Sequence, residues 1–387
     1  MMTRRLKPVS VRGLALLSAV LSAAAFAETA PRPRLVWPQD GATVSLLTER
    51  QRAYLETPTE KRVAGFDDPL ERARLATIGW SPAPVTLVWA DVDWDAEDAE
   101  VEIRRERDGR IVRREDVSVR TRNALELRNL ETGTAYAWRV TVGGASSEWR
   151  RFTTEPGVRL LDVDGVPNFR DLGGRVGLGG RRVRQGLLYR CSGANRNATP
   201  KHVPGASCVT ERGRRTAREV LGLRTELDLR SDGECRGMGS SPFGHSVRWV
   251  QHSSGCYQDM GQESNRKAFA DCFRTVCDTN SLPVAFHCIS GQDRTGTLAF
   301  ILNALLGVAE PELSLDWEIT VFWNPATGWF SRKGRYEAML KFFNEKFEGA
   351  DLREKVERYV LSCGVTREEI ERFRQMMLEE NPSGNGM

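Results

Sequence analysis

Histidine is scarce in this chain, with four residues in 387, at positions 202, 245, 252 and 287, and no two cysteines stand at C-x-x-C spacing. Zinc is held by clustered Cys and His ligands at short spacings, so no metal site is expected. Long apolar runs are missing too. The longest, LALLSAVLSAAAF near the N-terminus, falls short of the ~18 residues a membrane-crossing helix needs. The chain also lacks a real charge surplus. Its formal +4 arises from 56 basic and 52 acidic residues, and four of the basic ones (Arg4, Arg5, Lys7 and Arg12) lie in the first 27 residues with no acidic ones, leaving 52 of each beyond them. Net charge therefore gives no support to a nucleic-acid or anionic-membrane partner. The arginine runs at 104–114 and 212–215 alternate with acids or open a helix, and are read as solvated faces.

Those first residues have the plan of a secretory signal: a basic start, an apolar stretch, and Ala25-Phe26-Ala27 as a small-residue cleavage site. An exported protein, periplasmic or secreted, is the expectation. Eight cysteines then need accounting in a compartment that favours disulfides. All lie between Cys191 and Cys363, and the sequence does not give their connectivity.

One cysteine stands apart. Residues 287–297 read HCISGQDRTGT, with five residues between Cys288 and Arg294. The same spacing recurs at Cys208 and Arg214, but there the intervening VTERG carries a carboxylate and opens a helix capped by Thr210. Around Cys288 the context differs. PVAFH before it reads as a buried strand, and LAFILNALLGV after it as a buried helix, with Gly291 and Gly296 in the turn between. Strand, glycine-bearing loop and helix N-terminus form an anion site, because the first N–H groups of a helix lack internal partners. That field and a neighbouring guanidinium would keep Cys288 a thiolate, the nucleophilic form.

The stretch resembles the His-Cys-x5-Arg-Thr signature of the cysteine-dependent protein tyrosine phosphatases, and its Gly-x-Asp-Arg-Thr-Gly portion is similar to a bacterial branch of them. NFRDLGG at 168–174, GGRRVRQGLLYRC from Gly179, LRTELDLRSDGE from Leu223, DWEIT at 316–320 and VTREEIERFRQMML from Val365 extend the likeness over residues 158–378 in the same order. The resemblance implies an α/β domain with a central sheet flanked by helices, working without metal or organic cofactor. It implies Cys288 as nucleophile, Arg294 as the fork that clamps phosphoryl oxygens, Thr295 as the hydroxyl that stabilises the departing thiolate, and His287 as the residue that orients the loop. The backbone of Ile289, Ser290, Gly291, Gln292 and Asp293 would cradle the phosphate. For the general acid, Asp293 is favoured and Asp228, at the end of the Asp-Leu-Arg strand, competes. Relatives acting on phosphoinositides often carry lysine where this chain has Gln292, so a phosphotyrosine protein or a small aryl phosphomonoester is the expected substrate. Inositol phosphates form one alternative, and an idle phosphate-binding or adhesion protein another.

Ahead of this region, PVTLVWADVDW, VEIRRERDGRIVRREDVSV, ALELRNLETGTAYAWRVTVGG and EWRRFTT alternate in the manner of strands joined by turns. They predict an all-β sandwich, and Leu130, Tyr136, Trp138 and Phe152 resemble fibronectin type III domains. The helix-like stretch 48–79 interrupts it, as a structural spacer or as a docking surface for a partner. The expected organisation is a signal at 1–27, the sandwich with its helical insertion at 28–155, and the phosphatase-like domain at 156–387.

Overall fold

The computed structural model describes residues 32–66, 68–75, 77–92, 96, 98–195, 208–323 and 334–380. The expected signal segment and His202 lie outside them. The N-terminal part contains β1 (Arg34–Trp37), β2 (Ala42–Val44), helices α1 (Glu49–Leu55), α2 (Thr59–Phe66) and α3 (Pro69–Leu75), and then β3 (Val85–Ala90), β4 (Asp98–Arg105), β5 (Ile111–Ser118), β6 (Ala124–Leu127), β7 (Ala135–Val142), β8 (Ala145–Ser146) and β9 (Arg150–Thr154). These strands make a sheet of order β1-β3-β6 and a second of order β2-β9-β7-β4-β5, with β8 paired to β7. Alternation explains the pairing. Val85, Leu87 and Trp89 from the first sheet and Val101, Ile103, Trp138 and Val140 from the second are buried in one cluster, while Thr86, Val88 and Arg139 between them are only part-buried. The Tyr136 hydroxyl accepts the Glu131 N–H at 2.9 Å, tying the start of β7 to the preceding turn.

The C-terminal part follows as β10 (Arg170–Asp171), β11 (Leu188–Cys191), α4 (Glu211–Arg215), β12 (Thr225–Asp228), β13 (Arg248–Gln251), α5 (Glu263–Cys277), β14 (Val284–His287), α6 (Asp293–Leu305), α7 (Glu310–Glu318), α8 (Tyr336–Lys346), α9 (Leu352–Ser362) and α10 (Arg367–Met377). Its sheet has the order β10-β11-β14-β12-β13. β11, β14, β12 and β13 run parallel, and β10 closes one edge antiparallel. Parallel strands joined by helices are buried on both faces, hence the unbroken apolar run Val284-Ala285-Phe286 of β14. Val284 and Phe286 point into a large cluster with α5, α6 and the C-terminal helices. Ala285 joins a smaller one with Phe169, Tyr189 and Phe243 on the other face. Helix α6 is buried from Thr295 to Leu305, so it is apolar all round rather than amphipathic.

The helices inserted between β2 and β3 turn away from the strand cluster. Tyr54 of α1 and Leu75 of α3 belong to the large cluster of the C-terminal part, and Tyr54 meets Phe322 edge-on at 5.1 Å. Arg62 of α2 pairs with the buried Glu318 of α7 at 3.0 Å. The insertion is therefore more than a bare spacer, since it packs on the C-terminal part. Tyr54 and Leu75 are packed within the same chain, while Leu70 of α3 stays exposed.

The eight cysteines are unpaired thiols. The second Cys-x5-Arg copy folds as its residues suggest: the Thr210 hydroxyl accepts the Gly213 N–H at 3.1 Å and caps α4, while Arg214 reaches the Pro242 carbonyl.

Candidate active site

Register brings the chemistry to one end of the sheet. Cys191 and Asp228 flank His287 across the parallel ladder, so Cys288 leaves the carboxyl end of the central strand, where open α/β sheets bind ligands. The chain then turns through Ile289–Gln292 into α6. Gly291 makes that turn with φ of +70°, and a Cβ there would stand 2.2 Å from the Cys191 carbonyl oxygen. Only glycine fits.

What shapes the loop is the fate of its carbonyls, each held from outside the curl. His287 Nδ1–H donates to the Cys288 oxygen at 3.0 Å, and Gly193 N–H to that of Ile289 at 2.9 Å. The Asn168 side-chain amide donates to the Ser290 and Gly291 oxygens at 3.0 and 3.1 Å. Arg190 also donates to Gly291 at 2.6 Å, and Gly296 N–H to Gln292 at 2.9 Å. Among the described residues, no protein acceptor takes the N–H groups of Ile289 to Arg294. With the oxygens drawn outward these donors form a nest for an anion at the N-terminus of α6. Gln292 is nearly buried, and its amide nitrogen has no protein partner.

Cys288 is 2 % exposed. Burial opposes its ionisation, yet the Arg294 charge and the hydroxyl and N–H of Thr295 outweigh burial and the nearby Asp293, and the thiol lies below its ordinary value. Six other cysteines go the opposite way. Burial pushes Cys235, Cys256 and Cys277 to about 12 and Cys363 to about 11, and also raises Cys191 and Cys272. Arg294 is held flat by Glu234, whose two oxygens accept from Nη1 and Nη2 at 2.7 and 2.9 Å. Although burial resists it, that pairing brings the Glu234 carboxyl down to about 2.

Behind the loop, His287 is fully buried, with Nε2 2.7 Å from Glu226 Oε1. Burial disfavours charge on the ring, but Asp228 and Glu226 prevail and raise the imidazole above its usual value. Both ring nitrogens then donate, which fixes the ring against the loop carbonyl. Glu226, Asp228 and His287 bring donor atoms within 4.8 Å of one another, a grouping that could hold a cation. Glu226 Oε1 is taken by His287, its buried Oε2 has no protein partner among the described residues, and Asp228 is held by the Arg230 guanidinium at 2.8 and 2.6 Å, so a cation would compete with the protein's own positive groups.

That arrangement corrects one expectation. Asp228 is wholly buried and also accepts from the Arg230 N–H and Trp249 Nε1. Despite the burial, His287 and Arg230 hold its carboxyl far below the carboxylate range. A carboxylate so satisfied anchors the turn and has no proton to give. Asp293 sits differently, in the first turn of α6, part-exposed. Its Oδ1 accepts from the Tyr257 hydroxyl at 2.6 Å and pairs with Arg335, and Tyr257 in turn accepts from Trp317 Nε1.

The remaining motifs form a brace. Asp316 of α7 is buried against three guanidinium groups, Arg170 at 3.0 Å, Arg175 at 2.9 Å and Arg190. Arg170 also holds Asn168. NFRDLGG, the strand ending in YRC, and DWEIT thus meet at one carboxylate, from which Asn168 and Arg190 reach the loop. Glu226, Glu234, Tyr257 and Arg335 were not found from sequence. Glu226 left a trace, as a carboxylate inside the four-residue buried strand TELD. The others come from loops whose path no local pattern fixes.

The sequence profile described as the tyrosine phosphatase family matches residues 161–379, more than half of the chain. The chain belongs to that family. A Cupriavidus necator protein assigned as a tyrosine-protein phosphatase is 32 % identical over 179 residues, 40 % of this chain and 60 % of that one. A tyrosine-protein phosphatase of Nostoc commune is 24 % identical over 153 residues, 33 % and 46 % of the two chains. This phosphatase-family chain therefore spans less than two thirds of either relative. Two solved structures of the Siw14 catalytic core also align. One, the core of the PP-IP phosphatase from S. cerevisiae with citrate, is 16 % identical over 39 % of this chain and 77 % of that one, with a TM-score of 0.25. The other is 13 % identical over 44 % and 86 %, with a TM-score of 0.27.

Proposed function

We propose that this protein hydrolyses phosphomonoesters, phosphotyrosine or a related aryl phosphate first among them, through a phosphocysteine at Cys288. The observation that carries the reading is the loop itself: its carbonyls are pulled outward, its N–H groups are unclaimed, and the one cysteine held below its ordinary value stands at its start. In the first step the Cys288 thiolate forms the S–P bond while the ester P–O bond breaks. The leaving oxygen takes a proton from Asp293, the part-exposed carboxyl at the mouth of the loop. In the second, water attacks phosphorus, Asp293 takes its proton, and the thiolate departs towards the Thr295 hydroxyl, releasing inorganic phosphate. Arg294, oriented by Glu234, and the loop N–H groups stabilise the equatorial oxygens in both. Tyr257 and Arg335 hold the Asp293 carboxyl in place at the mouth of the loop.

We further read the chain as exported, on the pattern of residues 1–27, and its N-terminal strands as a fibronectin type III-like sandwich. The sheet orders β1-β3-β6 and β5-β4-β7-β9, with the Tyr136 hydroxyl on the preceding turn, support the latter. A substrate panel tests the catalytic reading. Phosphotyrosine peptides and aryl phosphates should turn over faster than phosphoserine peptides and phosphoinositides, and Cys288→Ser should abolish all turnover. Preference for phosphoinositides would move the substrate class without touching the mechanism, and turnover in Cys288→Ser would remove the mechanism.

A further inference from the structure

Part of the arginine run at 104–114, Arg105, Arg107, Arg110 and Arg113, lines a cavity of about 1000 Å³ between the β4–β5 hairpin and the C-terminal part. The far wall is formed by Leu187, Arg224, Leu282 and Pro283, which lead into β11, β12 and β14 at their amino ends. Cys288 follows the carboxyl end of β14. With a rise of ~3.3 Å per strand residue, Pro283 and Cys288 stand roughly 17 Å apart along the strand. The cavity is thus separate from the catalytic loop.

Its charge is unbalanced. Seven arginines line it against four carboxylates. Arg105 and Arg107 take up Asp108, Glu131 and Glu379, and Arg159 is bound to Asp171. Among the described residues, Arg110, Arg113, Arg184 and Arg224 have no carboxylate partner, against Glu219 as the one lining acid left unpaired. Arg113 is the telling member. It lies opposite the buried Ile103 in the β4–β5 ladder, half-buried, and its guanidinium is drawn below its ordinary value, by burial first, with Arg159 adding to the effect and Glu115 only partly opposing it. Holding a part-buried cation there with no carboxylate in ion-pair contact is costly, and an anion in the cavity lowers that cost.

We propose that this cleft binds a small molecule bearing two or more phosphate or sulfate groups, at a site distinct from the catalytic loop. Planar guanidinium forks suit tetrahedral oxyanions, the apolar edge of Leu187, Leu282 and Pro283 accommodates an uncharged body, and the volume is that of a small-molecule site. None of this depends on the catalytic reading.

Isothermal titration of the full chain with inorganic tripolyphosphate tests it, beside a sulfated disaccharide that distinguishes the two oxyanion sources. Wild type should show two classes of tripolyphosphate site. Arg294→Ala should lose one, and Arg113→Ala/Arg224→Ala should weaken the other at least tenfold while aryl-phosphate turnover stays within twofold. Arg110→Ala/Arg224→Ala, which changes only exposed side chains, repeats the test without risk to folding and should weaken the same class several-fold. Tighter binding of either probe identifies the source and supports the site. Loss of all binding in Arg294→Ala, or unchanged binding in both double variants, would overturn it.

Discussion

A thiol that is 2 % exposed should resist ionisation, and six of its fellow cysteines do. Cys288 departs from them because Arg294 and Thr295 act on it at close range. Its alkylation by iodoacetamide should therefore reach half-maximal rate at lower pH than the ~8.5 of a free cysteine. In Arg294→Ala, where the principal lowering charge is gone, that midpoint should move upward, and an unmoved midpoint would count against the assignment. Asp293→Asn separates acid from anchor. It should slow turnover of alkyl phosphates, with poor leaving groups, roughly 100-fold or more, and that of p-nitrophenyl phosphate far less. Equal losses on both would place the proton donor elsewhere. Glu234→Gln keeps size but weakens the fork that orients Arg294, so kcat/KM should fall roughly tenfold with the Cys288 alkylation profile little changed. Cys288, Arg294 and Asp293 were legible in sequence because their spacing is local. Glu234 was not, since it meets Arg294 only through the fold of the segment after β12.

At the scale of elements, the strand, loop and helix around Cys288 were readable because apolar runs bounded by proline and glycine announce them. The brace was only half readable. NFRDLGG was seen as a motif, but nothing local says that Arg170, Arg175 and Arg190 converge on Asp316 of α7. Despite its burial, those arginines hold the Asp316 carboxyl well below the carboxylate range. The sign follows: a depressed folded value stabilises the protein above the unfolded carboxylate value of ~3.9 and loses that stabilisation as pH falls through the folded one. Asp316→Asn leaves three buried guanidinium groups short of a counter-charge and should cost about 3–5 kcal/mol in a denaturant titration at neutral pH. The gap from wild type should narrow on acidification. A gap independent of pH would show that the carboxylate charge is not what holds the brace.

Across the whole molecule, the sequence marks two parts but not how they are joined. The insertion reads as helix from its composition, yet its role depends on where α7 presents Glu318. Trp80, just beyond α3, lies 5.6 Å from the Arg170 guanidinium, so the insertion touches the same brace that holds the loop. Arg62→Ala, in the N-terminal half, removes the buried ion pair to Glu318 and should destabilise the chain by about 3 kcal/mol in denaturant titration, lowering aryl-phosphate turnover at elevated temperature. An unchanged transition would mean that the parts are stabilised independently. The claim on which the account rests is chemical, and rapid acid quenching during turnover of p-nitrophenyl phosphate tests it most directly. Mass spectrometry should find one added phosphoryl group on the peptide containing Cys288 in the wild type and none in Cys288→Ser. Turnover without that adduct, or with the phosphoryl group on another residue, would contradict the account.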